Sequence, residues 1–573
     1  MIGWNECRNV EHNSSSVICL NLIQSWLEQC IKSHRSCHSE TSQLPTRVIH
    51  VGSDENIPRL HISSGESVDY IALSHVWGDF HPLITTKANL EQRQKGIPLS
   101  SFPKTFQDAI ILTRSLGIEY LWIDSLCIIQ DDNLDWETEA ARMRTVYSHA
   151  LVTISVNDAK DAREGFFGPR GEMAHTSIAI PYATEPDLSS TSYVYARRKR
   201  IDIGAYIAST FKSAYTITEV VHTGEFGHQQ RHKHFQPLIE THGWTFQERL
   251  LSPRTIHFTD YEMAFECRES LRCECSRVPV TNEYGTLFKV QTMNTVNHEK
   301  NPNWFSIVEG YTSRNLSVST DRLPAISGVA AAMDLYTAND YFFGLWRQEF
   351  RTHLLWAVKK ADASRRHPKS YAPTWSWAAV NSPVKYFFDR YSGWPEDEGF
   401  WAEIISLDAE KTSANPYGPG HGSVILRGLF GVAVVIESLA GNDDKLQMRL
   451  KLRAENLELG PELEFFPDIV ENPEVVVGEA VFIFAVATSN SDWHGIRSWY
   501  LVLNSAGDSG LQTFRRVGLA CTLQDRGFSS TTHSLEITSL LLRASLGGPG
   551  RPEAHIKVDE YLEFFNVITI RII

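Results

Sequence analysis

From residue 120 the chain runs YLWIDSLCII, an apolar stretch interrupted only by Asp124, Ser125 and Cys127. A strand covered on both faces has this composition, which points to a parallel sheet. A polar turn follows, with Asp131, Asp132, Asn133 and Asp135 available as helix N-caps. Trp136, Ala140, Met143 and Tyr147 then recur on one helical face. Glu139 sits about 60° from Trp136 at roughly 100° per residue, whereas Glu137 points away. A carboxylate at the rim of an apolar stripe, beside the carboxyl end of a strand, is where open α/β folds place chemistry.

The neighbouring segments extend the same pattern. VDYIALSHVWGDF, residues 68–80, reads as a strand ending at Ser74-His75, then a Trp77-Gly78-Asp79 turn. Pro103 precedes an amphipathic helix over 104–116, with Thr105 and Asp108 spaced like a capping box and Gly117 as the stop. LVTISVND supplies another strand. Strand and helix in alternation predict an α/β fold whose parallel sheet contains 70–75, 120–129 and 151–156, with helices 104–116 and 136–148 packed on it.

Leu20, Ile23, Trp26, Leu27 and Cys30 recur at helical spacing before this unit, and LPTRVIHVG reads as a strand entering it. After it, Trp244 to Leu251 reads as a short helix and Thr255 to Phe258 as a strand, with EMAFEC as hairpin partner across Thr259-Asp260. The middle region reads as helix-rich, in WFSIVEGYTSRNL, LPAISGVAAAMDLY and FFGLWRQEFRTHLLWAVKK. From about Ser423 the period falls to two, which predicts an antiparallel β-rich domain of sandwich type. The expected divisions are 1–65, 66–267, 268–415 and 420–573.

A length of 573 residues is too much for one core, and 15 Trp and 28 Phe imply large aromatic cores. The net charge of −14 argues against duplex nucleic acid or an anionic membrane as main partner. No signal-peptide pattern opens the chain and no run of about 18 apolar residues occurs, so the expectation is a cytoplasmic protein without a membrane span. Nine cysteines, an odd number spread along the chain, suggest reduced thiols. Cys30, His34, Cys37 and His38 cluster, but without a second ligand pair at a standard spacing no metal is expected there. The same holds for His222, His228, His232 and His234. The Gly507-Asp508-Ser509-Gly510 fragment and the glycines at 418, 420 and 422 lack the context of a protease or a dinucleotide loop.

Three blocks carry a family resemblance. YIALSHVWG at 70–78 resembles the opening motif of the fungal heterokaryon-incompatibility (HET) domain, with His75 where a Tyr is common. LGIEYLWIDSLCIIQ at 116–130, followed by Asp135-Trp136 and Glu139, resembles its second motif. GWTFQERLLSPR at 243–254 resembles its closing motif. The blocks come in the family's order across about 68–267, and Trp26-Leu27 with Cys30, His34 and Cys37 ahead and PTWSW at 373–377 behind are also familiar flanks.

The resemblance implies nonself recognition between fungal strains, with growth arrest or cell death as the outcome. It also implies distant similarity to Toll/interleukin-receptor (TIR) domains, which have a flavodoxin-like sheet and in some cases cleave NAD with a Glu on the helix after a central strand. On that basis Glu139 is the catalytic candidate, with Ser74, Trp77, Gly78, Asp79 and Asp124 as the rim that would bind NAD as substrate; no cofactor is required. The competing reading pairs Glu139 with Arg142 on its own helix. The domain would then signal without turnover, by self-association or through other incompatibility proteins. A thiol enzyme using Cys127 or Cys267 with a His is a remote third, since both lie in apolar strand patterns that suppress thiolate formation.

Overall fold

Residues described in the computed structural model are 10–37, 43–53, 56–78, 83–170, 237–275, 304–333, 340–359, 364–368, 371–386, 400–438, 447–453, 459–469, 476–491, 495–507, 512–522 and 565–573, plus the backbone of four strands between 177 and 233. The chain divides into two compact units, one of residues 1–316 with 328–333 and one of 317–327 with 334–573.

The first unit is built on one eight-stranded sheet. Its strands are β1 (Arg47–His50), β2 (Arg59–Ile62), β3 (Tyr70–Ser74), β4 (Tyr120–Trp122) and β5 (Val152–Val156), then, after the insertion described below, Arg254–Phe258, Met263–Cys267 and Leu271–Cys273. β3 and β5 are buried at every position, as strands with helices on both faces must be. β4, β3, β5 and Arg254–Phe258 pair in parallel, in that order. The β1–β2 hairpin pairs antiparallel on β4 at one side, and Met263–Cys267 with Leu271–Cys273 extends the other side antiparallel. The insertion forms two hairpins, β6 (Ser177–Ala183) with β7 (Thr191–Arg197) and β8 (Ile217–Thr223) with β9 (Gly227–Lys233). The last three sheet strands are therefore β10, β11 and β12.

Chain order and sheet order differ at β3. β4 follows β3 and lies on one side of it; β5 comes next and lies on the other. The crevice where successive connections diverge opens above the carboxyl ends of β3 and β5, the place such sheets bind ligands.

The helices follow from local signals. α1 (Val17–Ser33) is capped by Ser16, which accepts from Cys19 N, and buries Cys19, Ile23, Trp26, Leu27 and Cys30. A short α2 (Leu90–Lys95) precedes α3 (Lys104–Ser115), which buries Phe106, Ala109, Ile110 and Leu112 and ends before Gly117 at φ 73°. Asp108 does not complete a capping box. Its carboxylate accepts from the N–H groups of Phe166 and Phe167 and pairs with Lys104, fixing a distant loop instead.

The expected strand over 120–129 is much shorter. After Trp122 the backbone turns into one helical turn, α4 (Asp124–Cys127), closed by Cys127 N to Ile123 O and Ile128 N to Asp124 O. Asp124 accepts from Ser125 N, a local bond that competes with a strand ladder. Burial continues through the turn, which is why the apolar run reads as strand. α5 (Asn133–His149) then starts on Asp132, whose side chain accepts from Leu134 N and Asp135 N. α6 (Trp244–Leu251) has seven of its eight residues buried, all but Trp244, and packs on α5 and β3.

In the second unit, FFGLWRQEFRTHLLWAVKK is not a helix. Phe343 and Gly344 both take positive φ, 49° and 98°, and turn Tyr341–Phe342 back on Leu345–Trp346. One helical turn and the strand Trp356–Val358 follow. Trp346, Trp356, Trp375 and Trp377 are fully buried. Arg516 lies over the Trp356 ring, 3.5 Å from its centroid, and pairs with Asp468 at 3.3 Å.

The C-terminal region is antiparallel as expected, but its pairings close on themselves. Gly420–Ser438 pairs with Gln447–Arg453, then come Leu459–Pro467, Thr513–Thr522, Gly495–Ser505 and Ala480–Ser491, which returns to Gly420–Ser438. The six strands form a barrel, filled at alternate positions by residues such as Val435, Leu450, Phe465, Ile483 and Val502. Glu403–Lys411 and Phe565–Ile572 flank the long strand outside the ring. Among the described residues no helix is long and apolar enough to cross a membrane.

Trp122 is 1% exposed and meets Tyr147 edge to face at 5.6 Å. Trp122→Ala should cost about 3–5 kcal/mol in the unfolding transition of the first unit, measured by denaturant titration. A loss below about 1 kcal/mol would contradict this packing.

Candidate functional site

Ser74 ends β3 fully covered, so its hydroxyl must find a partner inside the protein. α6 supplies one. Ser74 Oγ donates to Glu248 Oε2 at 2.5 Å, and both residues are buried. Tyr147 of α5 donates to Leu73 O at 3.1 Å and also bonds Glu248. Burial pushes the Glu248 carboxyl up to about 8; the Ser74 bond opposes this, and the nearby Asp124 charge reinforces it.

Beside this cluster, Trp77 Nε1 donates to Asp124 Oδ2 at 2.8 Å, tying the turn after β3 to the turn after β4. Asp124 is partly exposed. Gly78 is required twice over: its φ is 63°, and a Cβ there would meet Lys160 O at 2.4 Å. His75 is 7% exposed and meets Phe106 edge to face at 5.1 Å. Its Nε2 has no hydrogen-bond partner among the described residues, and burial lowers its pKa, which favours the neutral ring.

The structure thus brings Ser74, Trp77, Gly78 and Asp124 to one end of the parallel strands. Asp79 lies outside the described residues. Glu248, Tyr147 and His75 join them, none of which the sequence marked as a site candidate. The signal available for Glu248 was its place in the closing block GWTFQERLLSPR, which carries four polar residues between Trp244 and Leu251.

Glu139 sits one strand further out, on the β1 side of β4. It is 3% exposed, whereas Glu137 is exposed. Thr46 Oγ1 donates to Glu139 Oε1 at 2.8 Å, Arg142 Nη1 does so at 3.2 Å, and Arg47 Nη2 lies 3.9 Å away. Arg47 also binds Asp135 at 2.6 Å and Cys127 O at 2.7 Å. None of the bonds of Glu139 runs to Ser74, Trp77 or Asp124. Cys127 lies nearby, and burial pushes its thiol up to about 12 despite Arg47, so it is no nucleophile near neutral pH.

α6 is fixed by buried charges. Arg249 reaches Glu240 and Glu266, both at 2.9 Å, and Arg314 pairs with Glu240. His257 bonds Glu266 at 3.0 Å and Asn157 at 3.3 Å. Two guanidinium groups against two carboxylates leave this layer close to neutral, as burial requires.

Comparison with known proteins adds a family. Residues 70–248 match the family described as heterokaryon incompatibility protein (HET). The chain is also similar to heterokaryon incompatibility protein 6, OR allele, of Neurospora crassa, with 28% identity over 243 residues. That match covers 38% of this chain and 35% of the relative, so the chain spans about a third of that protein's length. No solved structure matches the chain.

The Glu248 carboxyl makes a test possible. Folded, it keeps its proton up to about 8; unfolded, it releases it near 4.5. Its contribution to stability is therefore present below the unfolded value and lost as pH rises toward 8. Glu248→Gln cannot titrate, so its denaturation midpoint should fall less than that of wild type between about pH 5 and pH 8. Parallel pH profiles for the two proteins would contradict the assignment.

Proposed function

We propose that this chain, which carries a HET domain over residues 70–248, is a fungal incompatibility effector whose flavodoxin- and TIR-like sheet cleaves NAD and so triggers growth arrest or cell death. The observation that carries this reading is the cluster at the crevice beside β3: a Ser74–Glu248 pair, Asp124 held by Trp77, and a His75 nitrogen without a partner among the described residues. The name of the Neurospora relative supports the incompatibility role.

In NAD cleavage the bond from ribose C1′ to the pyridinium nitrogen breaks. Its electron pair leaves with nicotinamide, which departs neutral, and the sugar becomes an oxocarbenium ion. Water adds at C1′ and loses its proton to solvent. A carboxylate close to C1′ stabilises the cation, and a further polar group can hold the ribose hydroxyls. Asp124 is the partly exposed carboxylate at this crevice. Glu248, kept largely protonated at neutral pH, acts as a positioning residue for Ser74. Glu139 remains the carboxylate indicated by the family resemblance, one strand further out.

A second reading has support in the bonds of Glu139. With Thr46, Arg142 and Arg47 around it, Glu139 can serve as a brace, and the HET domain would act by self-association or with other incompatibility proteins.

Purified protein incubated with NAD, and inducible expression in a fungal host, separate these readings. Asp124→Asn should reduce NAD loss by about 100-fold or more and relieve growth arrest, with the melting temperature held. Glu137→Gln should change neither. A folded Glu139→Gln protein that alone loses turnover would move the chemistry to Glu139. Growth arrest with no NAD cleavage by wild type would favour the association reading.

A further inference from the structure

The flanks of the matched segment meet at a cluster of sulfur and nitrogen ligands. Cys30 lies in the last turn of α1, His34 caps that helix, and Cys37 ends the 3-10 turn Arg35–Cys37. Cys267 is the last residue of β11, 233 positions beyond His34. α1 packs on β11, with the Trp26 and Phe265 rings 6.1 Å apart, and this brings Cys267 to the other three.

One ligand atom from each of the four residues lies within 4.8 Å of all the others. Cys267 Sγ and His34 Nδ1 are 3.3 Å apart. Around a tetrahedral ion with bonds of about 2.3 Å to sulfur and 2.0–2.1 Å to nitrogen, ligand atoms stand about 3.5–3.8 Å apart. The three cysteines are buried, His34 is partly exposed, and none of the thiols is in a disulfide.

The surroundings suit thiolate sulfur. Ser270 N–H and Glu269 N–H approach Cys267 Sγ at 3.3 and 3.5 Å. Arg254 donates to Cys37 O at 2.6 Å and Arg268 to Ser36 O at 3.1 Å, while the Glu269 carboxylate accepts from Ser36 N at 2.7 Å. These bonds clasp the loop carrying Cys37 to β10 and the end of β11, orienting the ligand set from outside.

We propose that Cys30, His34, Cys37 and Cys267 bind one structural zinc ion. The donors are three thiolates and an imidazole with no carboxylate, the set that suits zinc; all four positions are filled by protein, as in a closed site. The expectation of no metal rested on the lack of a second ligand pair at a standard spacing, and the fold brings Cys267 to the cluster from another part of the chain. The ion would staple α1 to the antiparallel side of the sheet. A second group, Glu262, Cys273 and Cys275, offers three ligands among the described residues and serves as the control.

The full chain, purified under reducing conditions without chelator, should contain about one zinc by elemental analysis. Cys267→Ser should lose it, and Cys275→Ser should keep it. Exchange with cobalt(II) should give thiolate-to-cobalt charge transfer and the intense visible bands of a tetrahedral site; that wild-type spectrum decides the matter if Cys267→Ser fails to fold. Wild-type protein that holds no zinc even after zinc is added, or a Cys267→Ser protein that retains it fully, would overturn the proposal. So would alkylation of Cys267 at a free-thiol rate in zinc-supplemented protein, which would mark a Cys267–His34 pair instead.

Discussion

The Ser74–Glu248 hydrogen bond is the contact on which the first unit's site depends. β3 is buried on both faces, so the polar group at its carboxyl end cannot turn to water. A carboxyl in the same dry space must be neutral or paired with a cation, and Asp124 nearby makes ionisation harder still. α6 has to arrive at one height and rotation for the bond to form. Arg249, the next residue of the helix, is held between Glu240 and Glu266 and fixes that position. The closing sequence block is thus a lock on the opening one.

Each unit manages its sheet edges differently. The parallel strands of the first unit are bordered by antiparallel hairpins rather than exposed. The second unit bends six strands into a ring, which removes the edges of those six, with Glu403–Lys411 paired outside it on the long strand. Its long strand Gly420–Ser438 does two jobs, pairing outward along its first half and around the barrel along its second. The loop glycines at 420 and 422 are part of that strand, where a Cβ would meet the carbonyls of Glu410 and Asp408 at 2.2 and 2.3 Å.

What the sequence discloses depends on how local the cause is. The stripe Ala140, Met143, Tyr147 and the stop at Gly117 are local, and α5 and α3 form as their patterns predict. YLWIDSLCII shows burial correctly but not backbone shape, since a buried helical turn and a buried strand carry the same residues. Asp108 looks like a cap because its real partners, Phe166 and Phe167, are far along the chain. In the segment 342–360 the apolar spacing suggests helix, and only two left-handed residues reverse it. Glu248 and Cys267 fail for one reason: each acquires its chemistry from residues 174 and 233 positions away. Spacing along the chain cannot report that.

The whole arrangement at the end of β3 turns on the protonation state of Glu248. Infrared difference spectra of the folded protein at neutral pH, wild type minus Glu248→Gln, isolate the carbonyl stretch of one protonated carboxylic acid. That band should be present near neutral pH and disappear as pH rises past about 8. A carboxylate signature from Glu248 at neutral pH, with no acid band, would contradict it.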